Sequence, residues 1–326
     1  MRFKDIIGQE KGINYLKRSI QNKRIAHAYI FEGPKGVGKA QIALVFAKAI
    51  QCKNYYEDVC NHCSSCLKVN TNNHPDIKMI EPEGKSIKNN QIEDFQQDLL
   101  RKPYESNKKI YIIKDANLMT DSAQNRLLKT LEEPPAYAVI ILLSTNANSF
   151  LPTIKSRCQI LKFHPIGEKI IEDILVNKYG MQTDEAKVLA AFSDGSLGKA
   201  LKLKESEEFK IKREETIKVI EKLLKKDQLM VFELFEFFQQ NKAYIDEILD
   251  FMLFWFRDIL LLSQTESDKF LVNMDKKAAL QRHMNYIAYN KIGNIIHIIE
   301  KTKNDIKANV NFQLAIEMML LTIQEE

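Results

Sequence analysis

The chain has 326 residues, enough for two or three domains, and its 45% hydrophobic and 28% charged residues are typical of a soluble globular protein. The net charge of +5 permits contact with nucleic acid but does not require it. The longest apolar stretch, residues 251–262, is too short for a membrane span and is interrupted by Arg257 and Asp258. Residues 1–5 are charged and lead into no signal-peptide core, so we expect a cytoplasmic protein, in which clustered cysteines favour metal binding over disulfides.

The first half of the chain alternates short apolar runs with amphipathic stretches. The apolar runs lie at residues 28–31, 77–80, 110–113, 139–143 and 160–163. Helical patterns, such as those at 92–100 and 123–131, lie between most of them. This alternation predicts an α/β fold with a mainly parallel sheet covered by helices.

A phosphate-binding loop is predicted between the first run and the helix that follows it. Its sequence is Gly33-Pro34-Lys35-Gly36-Val37-Gly38-Lys39-Ala40. A glycine-rich turn in this position directs backbone N–H groups and a helix N-terminus at phosphates, and Lys39 would reach the β and γ phosphates. Gly33, Gly36, Gly38 and Lys39 are therefore candidate nucleotide-binding residues, and a glycine turn that binds no ligand is the alternative.

Two positions beside this loop lack the groups that hydrolysis requires. Ala40 replaces the serine or threonine whose hydroxyl would bind Mg²⁺. After the run at 110–113, Asp115 could still help to hold magnesium, but Ala116 follows where a carboxylate base is common. Together these residues predict a degenerate nucleotide site without catalysis of its own, in which ATP or ADP binding is doubtful.

Four cysteines directly after the predicted loop helix have the spacing of a zinc site. They are Cys52, Cys60, Cys63 and Cys66. Four thiolates bind zinc as a tetrahedron, and four protein ligands leave no open position for catalysis, so we expect a structural ion. Unligated thiols and a redox site are the alternatives, and His62 is a possible substitute ligand. Cys158 is too remote in sequence to belong to the set, and we interpret it as a small packing residue.

The second half of the chain is predicted to be helical. All eight prolines lie at or before Pro165, and Gly293 is the only glycine after Gly198. Apolar residues at helical spacing support this prediction, namely Val231, Leu234, Phe235 and Phe238. We expect three blocks: residues 1–165 with the cysteine insertion at 52–66, residues 166–206 as a small helical domain, and residues 207–326 as an all-helical domain.

Several motifs in residues 1–200 resemble those of the bacterial clamp-loader subunits, a branch of the AAA+ family. The most specific is the segment from Asp121 to Pro135, which ends in Leu131-Glu132-Glu133-Pro134-Pro135. The others are Ile7-Gly8-Gln9, His74-Pro75-Asp76, Ser144-Thr145-Asn146 and Ser156-Arg157-Cys158. Within the family the chain is similar to the delta-prime type of DNA polymerase III subunit rather than to the motor type, gamma/tau. Motor subunits have Thr or Ser at the position of Ala40 and an Asp-Glu pair at 115–116, and we expect no extension beyond the helical domain.

The resemblance implies an AAA+ module, a three-helix lid at 166–206 and a helical collar at 207–326 that holds a ring of five subunits. It assigns Arg157 the role of an arginine finger that reaches a neighbour's ATP, while the residues alone also allow a pair with a surface carboxylate. Ser144, Thr145 and Asn146 could sense a γ phosphate, but beside a defective site we expect relics that hold their loop. Lys199 lies where a lid would place a phosphate-contacting cation, and a solvated lysine is the alternative.

The implied function is non-catalytic participation in loading the sliding clamp onto primed DNA during replication. The implied partners are the ATPase subunits gamma/tau, the delta subunit, the clamp and primer-template DNA. A working motor-type ATPase and a zinc-dependent nucleic-acid-binding module are the two rival hypotheses.

Overall fold

The computed structural model describes residues 1–225, 230–265 and 268–325. The chain divides into two compact units. The first comprises residues 1–167 and 195–198, and the second comprises residues 168–194 and the described residues from 199 onward. Within the described part of the chain, no helix is both long and apolar enough to cross a membrane.

The first unit contains a five-stranded parallel sheet, as predicted. The strands are β1 (Ala28–Glu32), β2 (Ile77–Ile80), β3 (Lys109–Ile113), β4 (Ala138–Ser144) and β5 (Gln159–Lys162). Their order across the sheet is β2-β3-β4-β1-β5. The ends of the three strands beside the phosphate loop are aligned, because Glu32 pairs with both Ser144 and Lys162. Every residue of β3 and β4 is buried, which explains why these strands appear in the sequence as continuous apolar runs.

Helices cover both faces of this sheet. They are α1 (Glu10–Gln21), α2 (Lys39–Gln51), α3 (Ser64–Asn70), α4 (Asn89–Leu99), α5 (Asp121–Glu132) and α6 (Pro152–Lys155). Alternate strand residues point to opposite faces: Tyr29 and Phe31 pack with α1 and α2, whereas Ile30 packs with α4 and α5. The fold is therefore the predicted doubly covered sheet.

Helices make up most of the second unit. They are α7 (Glu168–Tyr179), α8 (Thr183–Ala191), α9 (Leu197–Glu205), α10 (Glu207–Leu224), α11 (Met230–Gln240), α12 (Ile245–Gln264), α13 (Lys277–Met284), α14 (Tyr289–Lys307) and α15 (Phe312–Glu325), of which α9 begins in the first unit. The predicted apolar positions Leu234, Phe235 and Phe238 are buried, while the side chain of Val231 lies outside the described residues. Because α7 and α8 group with the C-terminal helices, the separation of a lid from a collar stays a prediction.

The apolar run at 251–262 lies inside α12, and its charged interruption has a structural use. Asp258 is fully buried and accepts hydrogen bonds from the backbone N–H groups of Val272 (3.1 Å) and Asn273 (2.7 Å). The Asn273 side-chain amide donates a third bond, at 2.9 Å. Burial raises the pKa of Asp258, and these three donors oppose that effect. One carboxyl group thus attaches the segment after α12 to the helix.

A second carboxyl group, that of Asp98, connects α4 to the edge of the sheet. The Asp98 carboxylate lies 2.8 Å from Lys78 Nζ and 3.1 Å from Lys109 Nζ, and it accepts a hydrogen bond from the Tyr111 hydroxyl. Burial raises the pKa of Asp98, but these neighbours outweigh burial and lower it to about 2. The ionised carboxylate therefore stabilises the folded state.

This network predicts a specific loss of stability in acid. Because the folded pKa of Asp98 is lower than its unfolded value, its contribution is complete above about pH 4 and is lost as the pH falls towards 2. We expect Asp98→Asn to lower the free energy of unfolding by about 1–2 kcal/mol at pH 7 and to flatten its decline between pH 4 and 2. Denaturant unfolding at several pH values measures this. Asp94→Asn, an exposed change on the same helix, should leave the pH dependence unaltered, and an equal response of both variants would contradict the assignment.

Candidate functional site

The predicted phosphate loop connects β1 to α2, and neighbouring atoms leave no room for a side chain at two of its glycines. A Cβ atom at Gly33 would lie 2.3 Å from the carbonyl oxygen of Phe163, so no side chain fits there. Gly36 has a φ of +82°, and a Cβ atom would meet Ser196 Oγ at 2.3 Å. Gly38 is the N-cap of α2, whose first residue is Lys39. The loop thus has the strand–turn–helix context that a phosphate cradle needs.

The Lys39 ammonium group is turned onto its own loop. Lys39 Nζ donates hydrogen bonds to the carbonyl oxygens of Gly33 (2.5 Å) and Pro34 (2.7 Å). Burial lowers the pKa of Lys39, and the nearby Asp115 carboxylate opposes this effect. The ammonium group is therefore positioned at the phosphate loop. A bound phosphate would have to replace the two carbonyl oxygens as its hydrogen-bond acceptors.

Two residues beside the loop carry methyl groups, and a third carries a carboxylate. Ala40 is the second residue of α2 and carries only a methyl group. Asp115 follows β3 in the left-handed region, with a φ of 45°. Ala116 is fully buried and packs in the apolar cluster between the sheet, α4 and α5. Positions 40 and 116 thus offer methyl groups, and Asp115 is the carboxylate beside the loop.

The polar residues at the end of β4 hold the local backbone. Ser144 Oγ donates to the Asn146 carbonyl oxygen at 2.8 Å and accepts from the Asn146 N–H at 3.0 Å. Two further contacts, which sequence reasoning missed, fix the same loop: Glu32 Oε1 accepts from the Ala147 N–H at 2.8 Å, and Asn117 Oδ1 accepts from the Thr145 N–H at 3.3 Å. Glu32 was detectable in the sequence as the single charge that ends an otherwise apolar strand.

A serine that sequence reasoning missed contacts the phosphate loop directly. Ser196 Oγ donates a hydrogen bond to the carbonyl oxygen of Gly36 at 2.7 Å, and Ser196 is almost fully buried. The ammonium group of Lys199 lies 2.6 Å from Asp194 within the second unit, and its contact with a phosphate stays a prediction. Ser196 attaches residues 195–198 to the phosphate loop within the first unit.

Two of the resemblance motifs serve as structural attachments. Gln9 Nε2 donates to the His164 carbonyl oxygen at 2.6 Å, which joins the N-terminal motif to the chain after β5. Asp76, which is 1% exposed, accepts from the backbone N–H groups of residues 104–106 at 2.6 to 3.0 Å. Gln9 and Asp76 thus each bind the backbone of a segment that is distant in sequence and hold it in place.

The four predicted metal ligands come together. The Sγ atoms of Cys52, Cys60, Cys63 and Cys66 all lie within 4.8 Å of one another, and those of Cys60 and Cys66 are 3.8 Å apart. A Zn–S distance of about 2.3 Å gives tetrahedral edges of about 3.8 Å, so the cluster fits zinc. Burial raises the pKa of Cys63, but backbone N–H donors and the neighbouring thiols outweigh it and lower the pKa to about 6. A bound zinc ion would cross-link the chain after α2 to α3 and supply no open coordination position.

The segment that holds the cysteines is attached to the rest of the first unit. Asp58 accepts hydrogen bonds from the Phe3 and Lys4 N–H groups, both at 3.1 Å. Lys48, which is buried in α2, donates to the side-chain oxygens of Asn61 and Asn70. The cluster thus connects elements of its own domain. Cys158 lies outside it, and burial raises the pKa of its thiol to about 12, as expected for an unreactive packing residue.

Arg157 lies between α6 and β5, at the edge of the sheet where the strands begin. Its Nη1 donates to the Thr153 carbonyl oxygen at 3.0 Å and to Ser156 Oγ at 3.4 Å. Its Nη2 lies 3.1 Å from Glu132 Oε1, and the two side chains are 35% and 49% exposed. The surface-carboxylate pair that the sequence left open is therefore present in the isolated chain. The phosphate loop follows the opposite ends of the strands.

Comparison with known proteins decides the family. Residues 8–167 match the family described as "DNA polymerase III, delta subunit", and residues 207–325 match "DNA polymerase III, delta subunit, C terminal". DNA polymerase III subunit delta' of Bacillus subtilis is 34% identical over 321 residues, which are 97% of this chain and 96% of that protein. The chain belongs to the DNA polymerase III delta-prime family.

In sequence, relatives of the gamma/tau type align with a shorter part of this chain than the delta-prime relative does. Subunit gamma/tau of Mycoplasma pneumoniae is 34% identical over 62% of this chain and 30% of its own length. A gamma subunit-related protein of Thermotoga maritima has a solved structure with 20% sequence identity and a TM-score of 0.45, covering 96% of this chain and 98% of that one. The delta-prime relative thus matches along almost the whole chain, whereas the gamma/tau relative extends far beyond it.

The cysteine geometry predicts that metal removal destabilises the first unit. We expect the purified protein to contain about one zinc ion, and Cys66→Ser to lose it and about 3 kcal/mol or more of unfolding free energy. Elemental analysis and denaturant unfolding measure these quantities. Cys158→Ala is the matched control and should retain the metal. A metal-free wild-type protein whose stability is insensitive to chelator would disprove the site.

Proposed function

We propose that this delta-prime family member is a non-hydrolysing subunit of the clamp loader that places the sliding clamp on primed DNA during replication. The observation that carries the proposal is Ala40, a methyl group where the phosphate loop requires a metal ligand. In this proposal Gly33, Gly36, Gly38, Lys39 and Asp115 form a degenerate nucleotide site. Neighbouring gamma/tau subunits then hydrolyse ATP, and this chain contributes Arg157 to the site of one of them.

The geometry of the chain's own loop supports its inactivity. Mg²⁺ normally bridges β and γ oxygens and offsets the charge that develops in phosphoryl transfer. Without a hydroxyl at position 40 and with residue 116 packed in the core, two of the groups that would hold and activate the reactants are missing. Loss of a positioned base alone typically costs about 10²–10⁴ in rate. The rival hypothesis of a motor-type ATPase requires efficient ATP hydrolysis without a hydroxyl at position 40 and without a carboxylate at position 116.

The direction of the sheet supports a role for Arg157 in trans. Gln159, at the start of β5, pairs with Tyr29, whereas the phosphate loop begins at Gly33, after the end of β1. Along the strand direction, the start of β5 and the start of the phosphate loop are four residues apart, which is roughly 13 Å at about 3.3 Å per residue. Arg157 therefore faces away from its own loop and towards any subunit that packs against the amino ends of the strands.

An exposed apolar stripe supports assembly through the C-terminal helices. On α15, Leu314, Met318 and Leu321 are 44 to 57% exposed and follow one another at intervals of four and three residues. The opposite side of α15, including Ile316 and Leu320, is fully buried. A helix that is apolar on both sides fits a packed bundle better than a solvent-exposed surface. We assign residues 207–326 to the ring-holding collar and residues 166–206 to the lid.

The partners follow from this assignment. They are the gamma/tau ATPase subunits and the delta subunit, and through the complex the clamp and primer-template DNA. Zinc at Cys52, Cys60, Cys63 and Cys66 would be structural, because the cluster is attached to its own domain through Asp58 and Lys48. This attachment favours the structural role over a separate nucleic-acid-binding module.

The arginine finger predicts a loss of activity that appears only in the assembled loader. We expect Arg157→Ala to slow hydrolysis at the neighbouring site by about 10³-fold or more, because the guanidinium stabilises charge in the transition state. Steady-state ATPase assays of the reconstituted loader with DNA and clamp measure this, and size-exclusion chromatography should show unchanged assembly.

Lys155→Ala, a cationic neighbour on α6, is the control and should leave hydrolysis unchanged. The chain alone should turn over no ATP. Brisk hydrolysis by the isolated wild-type chain that Lys39→Ala abolishes would favour the motor-type rival, and unchanged loader turnover in Arg157→Ala would refute the finger.

The α15 stripe predicts a separate loss of assembly. We expect Leu314→Asp with Met318→Asp to weaken association with gamma/tau at least 10-fold, because two charges would be buried at the interface. Analytical ultracentrifugation measures the association, and circular dichroism checks that the helices remain folded. Gln313→Asp, a change beside the stripe, is the matched control. Full assembly of the double variant would exclude this face as the interface.

A further inference from the structure

The structure assigns a partner to the proposed finger: we infer that Glu132 is a positioning residue that retains Arg157 in the free chain and releases it to a neighbour's phosphates. This inference rests on the proposed function of Arg157. Glu132 is the last residue of α5, and its Oε1 lies 3.1 Å from Arg157 Nη2. The pair therefore joins the end of the Leu-Glu-Glu-Pro-Pro motif to the Ser-Arg-Cys motif.

Helix electrostatics give no other reason for a glutamate at this position. The C-terminus of a helix carries partial negative charge, so a carboxylate there is unfavourable unless a cation offsets it. Glu132 and the C-cap residue Glu133 both lie at this end of α5. Arg157 supplies the compensating charge for Glu132.

The remaining contacts hold the other terminal nitrogen of the guanidinium while leaving the ion pair accessible. Thr153 O and Ser156 Oγ, both on or beside α6, accept from Nη1. The Ser156 hydroxyl itself donates to Thr153 O at 3.0 Å. Glu132 is reached by Nη2 and is half exposed. A phosphate that approaches from solvent can therefore replace the carboxylate without disturbing α6.

The exposure of both side chains sets the strength of this retention. Ion pairs with this exposure change an equilibrium constant by roughly 1.5- to 5-fold. A guanidinium binds phosphate through two parallel, charge-assisted hydrogen bonds, which are stronger than the single contact that it leaves. Glu132 thus lowers the affinity of the neighbouring site slightly, and assembly with a bound nucleotide shifts Arg157 from carboxylate to phosphate.

The test uses the reconstituted loader and a non-hydrolysable ATP analogue. We expect Glu132→Gln to tighten binding of the analogue by about 1.5- to 5-fold at low salt, with the gain disappearing at high salt. The maximal hydrolysis rate should stay unchanged. Glu133→Gln removes the same charge one residue further along and should alter none of these quantities.

Double variants separate this inference from the function on which it depends. In the Arg157→Ala background, Glu132→Gln should have no effect on analogue affinity. An effect that persists without Arg157, a fall in the maximal rate, or unchanged affinity in Glu132→Gln would each overturn the inference while leaving the finger intact. If Arg157→Ala alone does not slow hydrolysis, the finger and the inference both fail.

Discussion

A parallel sheet has two chemically different edges, and the rest of this structure depends on that polarity. All strand carboxyl ends meet at one edge, where the phosphate loop, Asp115 and the Ser144–Asn146 contacts lie. Helices return the chain to the other edge, so α2 delivers the cysteine segment there and α6 delivers Arg157. The same constraint therefore separates the phosphate loop from Arg157.

Under the proposed function, this separation lets one side of the first unit lose its chemistry while the other retains it. Ala40 lies at the start of α2, beside the carboxyl ends of the strands, whereas Arg157 lies at their amino ends. Position 116 now contributes a methyl group to the core between α4 and α5, which maintains packing around the strand that leads to it. The loop glycines remain constrained by Phe163 and Ser196 whether or not a nucleotide binds.

The sheet, its covering helices and the cysteine cluster were predictable because each rests on local spacing. The continuous apolar runs of the buried strands and the two-residue gaps between Cys60, Cys63 and Cys66 are visible in the sequence itself. The contacts that were missed join residues distant in sequence. Ser196 contacts Gly36 across 160 positions, and Asp258 contacts Asn273 across 15 positions. The partner of Arg157 could be expected as a carboxylate, but only the fold identifies it as Glu132.

The buried carboxyl of Asp258 also bears on the environment that the apolar segment of α12 favours. Residues 251–262 of α12 are mostly apolar but include Arg257 and Asp258, each of which costs roughly 2.5–3.5 kcal/mol at the centre of a lipid bilayer. The folded protein satisfies Asp258 with three N–H donors, whereas lipid offers none. These charges thus favour burial of the apolar segment in the protein interior over its insertion into lipid.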